Sequence, residues 1–175
     1  MKSLVDHLSQ YAAYHRDPRN IASHFIGIPL IVVAVAVLLS RPEWPVGGLW
    51  LSPAVVVALF SAWFYLRLEL ALGGLMTLLM GLSVWLGHVL SAQSTLVWLG
   101  SGLGMFVVGW VIQFVGHYYE GKKPAFVDDV SGLIVGPLFV VAELAFLLGL
   151  RGDLKQQIEA RSGPVVRRDL KLSKV

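Results

Sequence analysis

Long apolar runs separated by short polar segments constrain this chain more than any other feature of its sequence. Five runs are nearly free of charge, and they cover residues 21–40, 51–66, 70–90, 96–116 and 130–150. A helix of about 20 apolar residues can cross a bilayer with its backbone polar groups hydrogen-bonded internally. Hydrophobic residues make up 56% of the 175 positions and charged residues 14%, which excludes an ordinary soluble domain. The sequence predicts an all-α integral membrane helical bundle with four to five hydrophobic segments.

The two ends of the chain are predicted to differ from its middle. Residues 2–15 carry apolar side chains at helical spacing, which predicts a short N-terminal amphipathic helix. Such a helix either lies in the membrane interface or is an ordinary capped terminal helix, and the pattern fits both. We expect residues 1–150 to form a single membrane-embedded helical domain, followed by a basic polar C-terminal tail at residues 151–175.

The basic residues indicate how the runs are arranged in the membrane. They are concentrated near both ends and in the loop around Lys122 and Lys123, and such segments favour the cytoplasmic face. Five full crossings cannot place all three groups on one side. We therefore predict a re-entrant last segment that folds back at Gly136-Pro137. The run at 96–116 is rich in glycine, which lets helices approach closely and predicts a central helix.

Charge and motif content exclude several classes of function. The net charge of +3 comes from the chain ends and one loop, so it indicates contact with an anionic membrane face and no nucleic-acid partner. The chain has no cysteine, so a metal would be held by nitrogen and oxygen ligands. The sequence also lacks an HExxH motif, a serine-nucleophile elbow and a phosphate-binding glycine loop, which excludes the corresponding hydrolases and nucleotide enzymes.

Three histidines are predicted to meet at one membrane face. His15 and His24 flank the start of the first spanning run, and His117 follows the end of the fourth. Neutral imidazoles suit iron, zinc, copper or nickel, although a single histidine on an apolar helix is more often a structural residue. Glu120 lies three residues after His117, so the two side chains can face one point. Helix-end parity places His88 on the opposite side.

Four further polar side chains are candidates for the same site. Glu143 lies within the last apolar run, where a carboxylate is costly and usually faces a partner inside the bundle. It is predicted either to form a structural pair with a histidine or arginine or to act at the metal. Asn20, Gln113 and Asp128 could orient imidazole groups or bind a polar substrate head, and Asp128 could equally cap the last helix.

Two segments resemble a known family. They read YHRDPRNIASHFIGIPL at residues 14–30 and GWVIQFVGHYYEGKKPAFVDD at residues 109–129, and the second continues through Glu143. Together they resemble the membrane 2-hydroxy fatty acid dioxygenase family of fungal α-oxidation, which has many bacterial members. The resemblance implies an Fe(II)-dependent enzyme that uses O2 to shorten a long-chain 2-hydroxy fatty acid by one carbon, with release of CO2.

The resemblance also implies roles for particular residues. The family's metal-binding histidines correspond to His15, His24 and His117, and its following acidic residue corresponds to Glu120. His88 is kept as a candidate fourth ligand. A 2-hydroxy carboxylate can bind iron through its acid and hydroxyl oxygens.

Four basic residues are candidates for attracting the substrate carboxylate, namely Arg16, Arg19, Lys122 and Lys123. Each of them could instead only obey the positive-inside rule. The expected location is the bacterial inner membrane for a bacterial chain and the endoplasmic reticulum membrane for a fungal one. The oligomeric state is left open.

Two other functions compete with the dioxygenase. In a non-enzymatic membrane scaffold or a small proton-coupled transporter, the histidines would pair with Glu143 and Glu120. A membrane desaturase or hydroxylase with two irons would need about eight histidines in short clusters, as those families have them. The chain has five histidines, which disfavours that class.

Overall fold

Helices make up 75% of the chain, which confirms the predicted all-α membrane class. The computed structural model describes residues 2–168. The helices are α1 (Leu4–Ala12), α2 (Pro18–Leu39), α3 (Pro53–Leu68), α4 (Leu70–Ser91), α5 (Thr95–Glu120), α6 (Gly132–Leu147) and α7 (Gly152–Ser162), with a short 3-10 helix at Ala125–Val127.

Three of the described helices are long and apolar enough to cross a membrane, namely α2, α4 and α5. The pair formed by α6 and α7 also passes this test as one broken or re-entrant span, which raises the number to four. The apolar helix α3 is shorter, with 16 residues. The described helices therefore account for every apolar run that the sequence analysis identified.

The break in the last segment lies later than expected. Helix α6 continues through Pro137, and the chain turns by 119° between α6 and α7. Gly149 and Arg151 at this turn have φ values of +75° and +58°, in the left-handed region. A Cβ at Gly136 would lie 2.9 Å from the Tyr11 hydroxyl, so this glycine permits close packing and does not end the helix. The predicted fold-back at Gly136-Pro137 is therefore wrong, because the chain turns between α6 and α7.

The glycine-rich helix α5 is not the central helix that its composition predicted. In the most apolar stretch of 18 residues, the buried share is 11% for α5, compared with 39% for α2 and 33% for α4. Cβ positions at Gly100 and Gly104 have no atom within 4 Å, whereas those at Gly102 and Gly116 would collide with side chains of α2. Gly102 and Gly116 thus serve helix contact, whereas Gly100 and Gly104 face open space.

The described chain forms two compact units. The first combines the chain before Pro29 with the chain after Trp110, and the second is Pro29–Trp110. In the first unit, Ser3 and Asp6 form a capping box at the start of α1. The apolar face of α1, including the fully buried Leu8, packs against α6 and α7. The segment is therefore a capped helix packed on protein, and its location in the membrane interface stays a prediction.

The second unit contains a hairpin of two helices, α3 and α4. Glu69 separates α3 from α4, and its carboxylate accepts hydrogen bonds from the backbone N–H groups of Ala71 and Leu72. A two-stranded antiparallel hairpin, β1 (Trp44–Val46) and β2 (Leu49–Leu51), precedes α3. This short strand pair was not among the predictions from the sequence.

A glycine pair in α4 provides a test of the hairpin packing. A Cβ at Gly73 would lie 2.7 Å from the Tyr65 carbonyl oxygen, whereas a Cβ at Gly74 would have no atom within 4 Å. Gly73→Ala should destabilise the detergent-solubilised protein by about 1–3 kcal/mol because the two helix backbones must separate. Gly74→Ala should be neutral or stabilising by up to about 1 kcal/mol. Thermal unfolding followed by circular dichroism measures both, and equal midpoints for the two variants would contradict this packing.

Candidate metal centre

The three predicted histidines converge at one buried point in the first unit. His15 lies in the turn between α1 and α2, His24 lies on the second turn of α2, and His117 lies on the last turn of α5. Pro18 starts α2 directly after this turn, so His15 and His24 are held on adjacent parts of the chain. His15 and His24 are fully buried and His117 is 6% exposed. One ring nitrogen from each histidine lies within 4.8 Å of the others.

Backbone carbonyl groups determine which nitrogens carry protons. The Nδ1 atom of His15 lies 2.7 Å from the Tyr11 carbonyl oxygen, and that of His24 lies 2.9 Å from the Asn20 carbonyl oxygen. A carbonyl oxygen only accepts, so each Nδ1 must donate. In a neutral imidazole the Nε2 atom is then an unprotonated acceptor.

The two Nε2 atoms face each other at 2.9 Å. Two acceptor lone pairs repel at this distance unless a proton or a metal cation lies between them. Burial lowers the pKa of His15 well below its ordinary value, and the neighbouring His24 imidazole lowers it further. Both rings are fully buried, and burial disfavours a charge on either of them. A metal cation is therefore favoured as the group that relieves the repulsion.

The third histidine adds an orphaned nitrogen. The Nδ1 atom of His117 is buried and lies outside hydrogen-bond geometry with every group in residues 2–168. Leaving such a buried atom without a partner costs about 1–3 kcal/mol. A metal bound by His15, His24 and His117 would remove this cost, and three neutral imidazoles suit iron, zinc, copper or nickel. The residues present thus fit a resident metal ion.

Aromatic rings hold the orientation of the histidines. Tyr11 stacks on His15 with ring centroids 4.1 Å apart and an angle of 6° between the planes. Phe139 on α6 contacts the same two rings, at 5.0 Å from Tyr11 and 5.5 Å from His15. The position of Tyr11 four residues before His15 is a helical spacing, so the sequence contained a signal for this contact that the analysis did not use.

Glu120 ties the end of α5 to the turn that carries His15. Its Oε2 atom accepts hydrogen bonds from the backbone N–H groups of Arg16 at 2.9 Å and Asp17 at 2.7 Å, and from the Asn20 side chain at 3.2 Å. Its Oε1 atom pairs with the Arg168 guanidinium at 2.7 Å. Glu120 does not belong to the group of possible metal ligands among the described residues. Its contacts are those of a residue that positions the histidine turn.

Glu143 has the arginine partner that the sequence analysis considered. Its Oε1 atom lies 3.3 Å from the Arg16 Nη2 atom, and both residues are buried. The other Arg16 donors reach the carbonyl oxygens of His15 and Gly163. Burial lowers the pKa of Arg16 below its ordinary value, and the Glu143 carboxylate opposes that shift. The pair connects α6 to the histidine turn.

The other basic candidates also have partners. Arg19 binds the Asp17 carboxylate at 2.8 Å, and the Lys122 ammonium donates to the Ala13 carbonyl oxygen at 2.7 Å. Burial alone would raise the pKa of Asp17, but hydrogen bonds from Arg19 and the Arg168 backbone bring it to about 2. Asp17 is therefore an anion throughout the physiological range.

Two exposed candidates pair with each other near the start of α6. Lys123 lies 2.6 Å from the Asp128 carboxylate, which also accepts a hydrogen bond from the Tyr14 hydroxyl at 2.7 Å. Roles of Arg19, Lys122, Lys123 and Asp128 in substrate binding stay predictions.

His88 lies in the second unit and has different surroundings. Its Nδ1 atom lies 2.8 Å from the Glu43 carboxylate, and its ring stacks on Trp50 at 4.1 Å. It does not belong to the group of possible metal ligands found in residues 2–168. Its role as a fourth ligand stays a prediction.

The sequence analysis missed a C-terminal contribution to the site. The segment 163–168 follows α7 and contacts the histidine turn through backbone groups. The Val166 N–H donates to the Arg16 carbonyl oxygen at 2.9 Å, and the Arg168 N–H donates to the Asp17 carboxylate at 2.7 Å. These are contacts of an irregular polar segment, for which the sequence has no periodic signal. The predicted division into residues 1–150 and a tail at 151–175 stays a prediction.

The fold and the site define a helical membrane protein with a buried three-histidine centre that can hold a metal ion. A family model described as 2-hydroxy-palmitic acid dioxygenase Mpo1-like matches residues 1–148. A relative in Saccharomyces cerevisiae, 2-hydroxy-palmitic acid dioxygenase MPO1, is 32% identical over 164 residues, which cover 90% of each chain. The chain therefore belongs to this Mpo1-like dioxygenase family, as the two sequence segments indicated. No solved structure matches the chain.

Removal of single histidines tests the metal centre. His24→Ala and His117→Ala should each weaken metal binding by more than the roughly 10–100-fold typical of outer-shell changes, because each removes a ligand. His88→Ala should retain the metal because its partners are Glu43 and Trp50. Metal content of the purified variants after Fe(II) reconstitution gives the result. Retention of metal by the first two variants, or its loss from the third, would contradict the assignment.

Glu120 provides a second test. Glu120→Ala should weaken metal binding by about 10–100-fold, because the buried backbone N–H groups of Arg16 and Asp17 lose their acceptor. Glu120→Gln keeps one acceptor oxygen and should have the smaller effect. Asp153→Ala removes an exposed carboxylate near the start of α7 and serves as the control. The measurement is the metal affinity of the three variants, obtained by titration. Equal affinities would show that Glu120 does not position the site.

Proposed function

We propose that this protein is an Fe(II)-dependent dioxygenase that performs α-oxidation of long-chain 2-hydroxy fatty acids. The observation that carries the proposal is the approach of two unprotonated Nε2 atoms to 2.9 Å inside a buried three-histidine group. Membership in the Mpo1-like family supports the choice of substrate and oxidant. The yeast relative is a 2-hydroxy-palmitic acid dioxygenase by name, and this chain is 32% identical to it over 164 residues.

The proposed reaction balances without an external reductant. A 2-hydroxy acid and one O2 give the acid that is one carbon shorter, one CO2 and one water. The bond between the carboxyl carbon and Cα breaks, and Cα is oxidised to the new carboxyl group. O2 takes up all four electrons, two from loss of the carboxyl group as CO2 and two from oxidation of the hydroxyl-bearing carbon. Iron would supply the redox centre at which O2 and the 2-hydroxy acid meet.

The protein's own residues would hold and shield this centre. His15, His24 and His117 would bind the iron, with the tautomers of the first two set by backbone carbonyl groups. Tyr11 and Phe139 cover the rings and exclude water from one side. An iron held by these three imidazoles would still be accessible to the 2-hydroxy acid and to O2.

The competing functions lack their expected contacts. A structural scaffold or a proton-coupled transporter was expected to pair the histidines with Glu143 or Glu120. Within residues 2–168, Glu143 pairs with Arg16, and Glu120 binds backbone N–H groups and Arg168. The two buried histidines donate to backbone carbonyl groups instead.

The proposal includes a location for the substrate. The acyl chain would lie among the membrane helices, and Arg19, Lys122 and Lys123 would attract the carboxylate from the interface. The membrane would be the inner membrane in a bacterium or that of the endoplasmic reticulum in a fungus. The membrane domain would comprise residues 1–150, with residues 151–175 as its polar tail.

Oxygen uptake tests this proposal directly. Purified protein reconstituted with Fe(II) should consume O2 when 2-hydroxypalmitate is added, with equal amounts of CO2 and the shortened acid formed. Palmitate should give no uptake, because it lacks the hydroxyl-bearing carbon at which oxidation starts. The His24→Ala variant is the matched enzyme control and should be inactive. Absence of uptake by the iron-loaded wild-type protein would overturn the dioxygenase assignment.

A further inference from the structure

The last turns of α5 present a polar stripe to the protein interior. Among residues 111–120, the buried positions are Gln113, Gly116, His117 and Glu120, and none of them carries an apolar side chain. Their spacing of three and four residues places them on one helix face. His117 belongs to the histidine group, and Glu120 binds the histidine turn. Gln113 therefore lies one helical turn before His117, farther from the C-terminal end of α5.

Gln113 is a largely buried residue whose side-chain amide makes no hydrogen bond within residues 2–168. Its side chain is 7% exposed, and it has no hydrogen-bond partner among residues 2–168. An amide has two donors on nitrogen and an acceptor on oxygen. In a membrane-spanning helix such a residue is costly unless it meets a polar partner. A ligand bound beside His117 would provide that partner.

Asn20 presents a second unpaired atom to the same stripe. Its nitrogen donates to the Tyr14 carbonyl oxygen and to Glu120, so the amide orientation is fixed by two acceptors. The oxygen, Oδ1, is buried without a hydrogen-bond donor. A Cβ built on Gly116 would lie 2.6 Å from this oxygen, which places it against the face of α5 that carries Gln113 and His117.

We propose that Asn20 and Gln113 form the hydrogen-bonding subsite that recognises the 2-hydroxy carboxylate head of the substrate. The juxtaposition of a lone acceptor on α2 and an unpaired amide on α5, both beside the histidine group, carries this proposal. It rests on the proposed function and adds the residues that select a 2-hydroxy acid over an ordinary fatty acid.

The chemistry of the two amides matches that head group. The 2-hydroxyl group has one O–H donor, and Oδ1 of Asn20 is an acceptor without a donor. The carboxylate only accepts, and the Gln113 amide nitrogen has two donors. An ordinary fatty acid would leave Oδ1 unpaired, and sites built to hydrogen-bond a hydroxyl group reject analogues that lack it. The subsite therefore explains selection at Cα without any contact to the acyl chain.

The test measures binding to protein loaded with Zn(II), which cannot transfer electrons to O2. Calorimetric titration in detergent should show that 2-hydroxypalmitate binds more tightly than palmitate or 2-fluoropalmitate. The fluorine resembles the hydroxyl group in size but cannot donate a hydrogen bond to Asn20. Equal affinities for 2-hydroxypalmitate and 2-fluoropalmitate would overturn the role of Asn20.

The variant Gln113→Leu removes the amide and keeps an apolar side chain of similar size. Its affinity for 2-hydroxypalmitate should fall by about 10–100-fold, as expected for lost hydrogen bonds to a charged group. The midpoint of thermal unfolding should stay the same or rise, since an unpaired buried amide is removed. Gln93→Leu, at an exposed position of the second unit, should bind like the wild-type protein. A fall in unfolding midpoint with unchanged affinity would show that Gln113 is only structural.

The binding measurements and the O2-uptake measurement can fail separately, so failure of the subsite can be told apart from failure of the proposed function. Wild-type O2 uptake together with unchanged binding by Gln113→Leu would overturn the role of Gln113 and leave the dioxygenase assignment intact. Selective binding by the wild-type protein without O2 uptake would support the subsite and overturn the dioxygenase assignment.

Discussion

The close approach of two unprotonated imidazole nitrogens is the constraint on which the site depends. Backbone carbonyl groups of Tyr11 and Asn20 take the Nδ1 protons of His15 and His24, and this leaves two Nε2 lone pairs 2.9 Å apart. The arrangement is unfavourable in the absence of a cation. Burial makes protonation costly, so a metal ion is the group that best fits this arrangement. The unpaired Nδ1 of His117 indicates the same conclusion.

The surrounding residues serve to keep this arrangement in place. Polar groups from distant parts of the chain hold the turn that carries His15. Glu120 binds its backbone N–H groups from α5, and the pair of Arg16 with Glu143 connects it to α6. The segment 163–168 completes the contacts with two further backbone hydrogen bonds. A metal site in a membrane helix bundle thus depends on polar contacts because every buried polar group needs a partner.

The helices and the meeting of the three histidines could be predicted from the sequence, for different reasons. Apolar runs show where a helix can span, and the positions of His24 and His117 at opposite helix ends show that both can lie at one face. The pairing of Glu143 with an arginine was also within reach, because a carboxylate inside an apolar run needs a partner.

Other features depended on tertiary contacts that no local pattern encodes. Pro137 looked like a break, but α6 continues through it, and the turn occurs at the residues after Leu147. The glycines of α5 suggested a central helix, although Gly100 and Gly104 face open space. The contacts of Val166 and Arg168 come from an irregular segment far along the chain.

X-ray absorption spectroscopy at the iron edge tests the central claim most directly. The measurement counts the imidazole ligands of iron in the Fe(II)-loaded protein through their characteristic multiple scattering. Three imidazoles are predicted, with oxygen ligands in the remaining positions, and the same imidazole count is expected in His88→Ala. A site with only oxygen ligands, or a fourth imidazole that disappears in His88→Ala, would contradict it.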